Sequence, residues 1–90
     1  MDMKIKDSKD VEALVITMEE CGELIQACSK MIRTKGRAKY RRNLQDEAGD
    51  VYALLQVLIK RGLITEEKLL EREEEKIGKL KKWSKLFESE

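Results

Sequence analysis

Apolar residues recur along this chain at helical spacing, and no stretch alternates apolar and polar positions as a half-buried strand would. On a helical wheel, a first helix from about Lys9 to Arg33 gains a main apolar face of Val11, Leu14, Val15, Met18, Cys21, Ile25, Cys28 and Ile32. This stripe is the expected core face. A second set, Ala13, Ile16, Leu24, Ala27 and Met31, lies on the far side, with Glu20 and Glu23 within or beside it. A second helix from about Arg41 to Arg61 has one stripe of Leu44, Ala48, Val51, Leu55, Leu58 and Ile59. Its Glu47 and Asp50 share the flank of Leu54 and Val57. Helices apolar on two sides are buried on two sides.

Capping chemistry supplies the boundaries. Asp7 or Ser8 is placed to cap the first helix, and Thr34 to Tyr40, with Gly36 in the turn, interrupts the pattern. Gly62 suits the left-handed residue that closes the second helix, and Thr65 followed by Glu66 and Glu67 opens a third that extends toward Phe87. The reading is an all-α helical bundle of about three main helices in one domain, 1–90. Trp83 and Phe87 are expected in a core or dimer contact. Ninety residues bury only a modest core. Oligomerisation, as a homodimer or homotetramer, is therefore expected to complete the bundle.

Composition narrows the chemistry. With 19 basic and 18 acidic residues the formal charge is +1, so bulk charge offers no reason to expect a nucleic-acid partner. No apolar run is long enough for a membrane span and no signal peptide is indicated, which makes a cytoplasmic location the expectation. Cys21 and Cys28 lie about 10 Å apart along one helix, too far to bridge, and read as small buried hydrophobes. The chain has no histidine. Zinc sites of the usual kind, histidine acid–base chemistry and the Glu-x-x-His di-iron pattern are thereby excluded.

The most informative feature is a pair of acidic motifs, Glu19-Glu20-Cys21-Gly22-Glu23 and Glu47-Ala48-Gly49-Asp50. Glu20 and Glu23, like Glu47 and Asp50, stand three residues apart, so each pair shares one helix face. Isolated pairs of this kind are ordinary solvated surface in a chain that is 41% charged. Two pairs on consecutive helices, each flanked by apolar positions, point instead to converging carboxylates. Like charges brought together raise one another's pKa unless a cation holds them ionised, and an oxygen-only set suits a hard ion such as Mg²⁺. Gly22 and Gly49, unfavourable inside helices, point to close approach or access at both motifs.

These residues resemble the MazG-like family of all-α nucleoside triphosphate pyrophosphohydrolases, whose hallmark is Glu-Glu-x-x-Glu, a variable spacer, then Glu-x-x-Asp. Flanking words agree: Glu20-Cys-Gly-Glu-Leu24 is similar to the family's Glu-x-Gly-Glu-Leu, and Glu47-Ala-Gly-Asp-Val51 to its Glu-x-Gly-Asp-Val. The resemblance runs from about Val11 to Trp83. It implies Mg²⁺-dependent hydrolysis of a nucleoside triphosphate between the α and β phosphates, with Glu20, Glu23, Glu47 and Asp50 as metal ligands. Glu19 would bind a second metal or orient water, or be a solvated neighbour.

Cations for the phosphates are plentiful. Lys35, Arg37, Lys39, Arg41 and Arg42 line the first connection, and Lys76, Lys79, Lys81, Lys82 and Lys85 crowd the third helix. Family members usually carry basic residues, and often an asparagine, near that third-helix segment. Here Glu75-Lys76-Ile77-Gly78-Lys79 carries lysines and no asparagine, and Lys76 and Lys79 are the expected phosphate contacts. Ile77 and Leu80 would anchor that face to the bundle. The alternative is a non-catalytic helical module that oligomerises or binds RNA or protein. Intact acidic pairs weigh against it. Related phosphohydrolases, an all-α dUTPase or a phosphoribosyl-ATP pyrophosphohydrolase, share the same bare acidic motif.

Overall fold

In the computed structural model, which describes residues 7–88, the chain is all α: α1 Ser8–Arg33, α2 Ala38–Lys60 and α3 Glu66–Trp83. Asp7 caps α1, its carboxylate accepting from the Lys9 amide at 2.7 Å. Both ends of the α1–α2 connection are set by backbone hydrogen bonds. At the close of α1 the Gly36 amide donates to Met31 and the Lys35 amide to Ile32, the paired bonds of a Schellman motif. Lys35 takes φ 56° at the position that glycine normally fills, and Gly36 follows at φ 81°. At the close of α2 the same motif forms with Leu63 donating to Leu58, Gly62 donating to Ile59, and Gly62 itself at φ 77°.

Two boundaries differ from the sequence reading. α2 begins at Ala38 rather than Arg41, because Arg37 caps it through its backbone alone, with no side-chain acceptor to mark the start. α3 stops at Trp83 rather than near Phe87. Ser84 turns extended there, and its hydroxyl accepts from the Leu86 amide at 3.1 Å, a local bond that competes with continued helix. Its opening is as expected, with the Thr65 hydroxyl accepting from the Lys68 amide.

α1 and α2 form an antiparallel hairpin, and the face of α1 that packs is the unexpected one. Ala13 and Ala27 are buried against α2, with Glu20, Leu24 and Met31 half-buried beside them, while Leu58 is the buried residue of α2. Small alanines let the helix axes approach closely, which the bulkier opposite stripe does not allow. That stripe therefore faces outward. Val11 is 50% exposed, Met18 72%, Ile25 70% and Ile32 79%, and Cys21 and Cys28 are exposed rather than buried. Leu44, Val51, Leu55 and Ile59 of α2 are half-buried, whereas Ala48 is exposed.

Arg61 fastens the open end of the hairpin, pairing with Asp7 at 2.9 Å and with Asp10. Beyond it α3 departs, and α1 with α2 is the one extensively packed pair of helices among the described residues. The result is a splayed chain of 47 × 31 × 15 Å with a radius of gyration of 16.1 Å. A compact chain of this length would have a radius near 12 Å. Trp83 and Phe87 are accordingly exposed, and Ile77 and Leu80 are only half-buried. No helix among the described residues is long and apolar enough to cross a membrane.

Candidate metal centre

The hairpin brings the two acidic motifs together. Glu20 lies on the packed face of α1, one turn from Glu23, and Glu47 and Asp50 lie one turn apart on α2. Glu20, Glu47 and Asp50 each offer a carboxylate oxygen within 4.8 Å of the other two. Glu23 stands at the edge, exposed, yet close enough that its charge is the largest acting on Glu47. Glu19 is exposed and outside this cluster.

Burial and repulsion both act on the cluster. Glu47 holds its Oε2 atom away from solvent with no hydrogen-bond partner among the described residues. Its pKa is pushed up by desolvation first, then by the charges of Glu23, Asp50 and Asp46, against which Lys30 pulls it down. Glu20 is also pushed up, by desolvation and then by the charges of Asp50 and Glu47. Both shifts favour a proton or a cation at Glu20 and Glu47.

The donor set fits a hard divalent ion. All the ligand atoms are carboxylate oxygens, drawn from both helices, and one of them is buried and unpartnered. Carboxylate oxygens within 4.8 Å of one another are the kind of donor that a hard divalent cation takes, and Glu20, Glu47 and Asp50 are the residues that would hold it.

The expected phosphate contacts are not brought to this cluster. α3 leaves the hairpin, and the Lys76 ammonium sits over the Trp83 ring at 5.6 Å, with Lys79 exposed on the same helix. A cleft of about 470 Å³ instead opens beside the carboxylates at the hairpin turn, lined by Lys30, Lys39, Tyr40, Arg42, Asn43 and Asp46. Lys39 and Arg42 belong to the basic connection noted in the sequence, but Lys30 and Asn43 were missed. Spacing held the missing signal: Lys30 is seven residues from Glu23 and Asn43 seven from Asp50, two helical turns along the same faces. No protein-family model matches the chain, and neither does any curated protein or solved structure.

Proposed function

We propose that this chain is a Mg²⁺-dependent nucleoside triphosphate pyrophosphohydrolase of the MazG-like kind, with Glu20, Glu23, Glu47 and Asp50 as its metal ligands. The observation that carries the reading is the buried, unpartnered Oε2 of Glu47 within carboxylates contributed by both acidic motifs. An ionised carboxylate so placed is costly without a cation, and placing it there on two consecutive helices has a reason if a cation is the ligand.

The reaction is attack of water on the α-phosphorus. The bond from that phosphorus to the α–β bridging oxygen breaks, pyrophosphate leaves with the electron pair, and the monophosphate remains. A bound Mg²⁺ offsets charge on the phosphate oxygens and lowers the pKa of water near it. The chain's own part is to hold the carboxylates in one cluster and to accept a proton from the attacking water. A carboxylate oxygen of the cluster not engaged with the ion takes that proton. Glu19 has no role in this scheme.

A homodimer or homotetramer belongs to the same proposal. Val11, Met18, Ile25 and Ile32 are exposed at intervals of seven, with Leu14, Cys21 and Cys28 at the intervening positions. That is the seam of a helix packed on another helix. No charged residue interrupts it, and a Cβ added at neighbouring Gly22 would meet nothing within 4 Å in the protomer. Burying each of the large seam residues contributes roughly 1.5–3 kcal/mol, which a domain with three buried apolar side chains among its described residues needs. A cytoplasmic location goes with a nucleotide substrate.

The experiment is a nucleotide panel assayed for pyrophosphate release by the full chain, with Mg²⁺ and with excess chelator, beside Glu47→Gln. Metal-dependent release lost in the variant is expected. No release from any nucleotide at saturating Mg²⁺ would sink the proposal in favour of a non-catalytic helical module.

A further inference from the structure

The exposed side of the hairpin carries three rungs in register. On α1, Lys30, Glu23 and Ile16 are seven residues apart, and on α2, Asn43, Asp50 and Val57 are seven apart in the opposite chain direction. Seven residues are two helical turns, so each set stays on one face and successive rungs lie about 10 Å apart. The antiparallel packing places the rungs opposite one another. Lys30 and Asn43 share the cleft at the turn. Glu23 and Asp50 both act on Glu47 in the middle. Ile16 and Val57 share a groove of about 400 Å³ at the open end with Ala13 and Leu54, rimmed by Lys9, Glu12 and Arg61.

The character of the face changes along it, from cationic to acidic to apolar. At the turn, Lys30, Lys39 and Arg42 oppose one carboxylate, Asp46. None of these cations forms an ion pair among the described residues, although carboxylates lie next to them. Arg61 at the far end differs, being fully engaged by Asp7 and Asp10. Adjacent cationic and anionic clusters that leave each other unpaired suit a ligand that is itself an anion carrying a metal ion. The guanidinium of Arg42 and the amide of Asn43 add directional donors to the lysine charges.

Resting on the pyrophosphohydrolase reading, we infer that the nucleotide lies lengthwise on this face, its terminal phosphates in the Lys30–Arg42 cleft and its base over Ile16, Leu54 and Val57. The phosphates are then held by the hairpin turn and not by the third helix. With the tail toward the turn, the α-phosphate falls at the carboxylates, where cleavage releases the two phosphates already seated among the cations. The reversed orientation would put the triphosphate on a mainly apolar groove whose cations, Lys9 and Arg61, stand beside Glu12, and leave the cationic cleft facing a base.

Inorganic tripolyphosphate with Mg²⁺ tests the cleft apart from any base. Titrated calorimetrically into the full chain, it is expected to bind the wild type and to bind Lys30→Met and Arg42→Ala about tenfold or more weakly. Lys30→Met keeps the aliphatic stem, and circular dichroism checks that both variants keep their helix content. Val57→Ser is expected to weaken a nucleoside triphosphate while leaving tripolyphosphate within twofold of wild type. Wild-type affinity in both cation variants, or a larger loss in Lys76→Ala or Lys79→Ala, would overturn this placement while leaving the proposed reaction standing. Equal weakening of both ligands by Val57→Ser would overturn the orientation. Failure of the wild type to bind either ligand with Mg²⁺ would overturn the proposed function and this inference with it.

Discussion

Glu20 of α1 and Asp50 of α2 meet across the helix interface, each with a carboxylate oxygen within 4.8 Å of the other, which joins the first acidic motif to the second. Burial is the first cause of the upward shift at Glu20 and the charges of Asp50 and Glu47 follow. Glu47 is pushed up likewise, by burial first and then by the charges of Glu23, Asp50 and Asp46.

Stability of the metal-free protein should therefore fall as pH rises. A glutamate whose folded pKa lies above its unfolded value, about 4.3, binds more protons in the folded state between the two, so its contribution is fully present below the unfolded pKa. It is lost as pH climbs through the folded pKa. Thermal melts in chelator are expected to show a higher Tm at pH 5 than at pH 7. Added Mg²⁺ should raise Tm at pH 7 and do so less at pH 5, where protons compete. A metal-free Tm that increases from pH 5 to pH 7 would refute this account of Glu20 and Glu47.

Glu47→Gln keeps the shape of the side chain and removes its charge. Pyrophosphate release is expected to drop by about 100-fold or more, and the Mg²⁺-induced rise in Tm to disappear. In chelator the variant should melt no lower than the wild type, because a repelled carboxylate has been replaced by a neutral amide. Loss of helix content on substitution would assign Glu47 to folding instead.

The outward stripe of α1 predicts self-association. Sedimentation should find a dimer or tetramer at micromolar concentration, and Ile25→Glu should shift it toward monomer by placing a charge in the seam. Cys21 lies near the midpoint between Val11 and Ile32. Mild oxidation should link Cys21 to its copy if the helices pair antiparallel, whereas a parallel pair also links Cys28. A wild-type chain that sediments as a monomer would rule the interface out.

Lys35 holds φ 56° at the close of α1, a conformation that costs an L-residue with a Cβ on the order of 1 kcal/mol. Lys35→Gly is expected to stabilise the hairpin by about that amount, less the entropy glycine adds to the unfolded chain. Chemical denaturation should show a higher midpoint at unchanged slope. A lower midpoint would mean that the lysine makes a compensating contact.

Much of this protein is decided by short-range chemistry that the sequence carries openly. The Asp7 and Thr65 caps and the Gly62 closure each depend on hydrogen bonds within a few residues, so three helices and most of their limits could be read directly. The pairing of Glu20 with Glu23 and of Glu47 with Asp50 was equally legible, because a spacing of three shares a helix face whatever the tertiary context. The backbone-only start of α2 and the early stop of α3 lay beyond such rules. So did the choice between the two apolar faces of α1. Hydrophobicity favoured Val11, Met18, Ile25 and Ile32, yet helix packing rewards close approach, and only the alanines Ala13 and Ala27 permitted it against α2. That one packing decision turned the large stripe outward, brought Glu20 against Glu47 and Asp50, and set Lys30 beside the cleft at the turn. Where α3 points decides whether Lys76 and Lys79 can reach the carboxylates, and that depends on tertiary contacts that helix propensity does not encode.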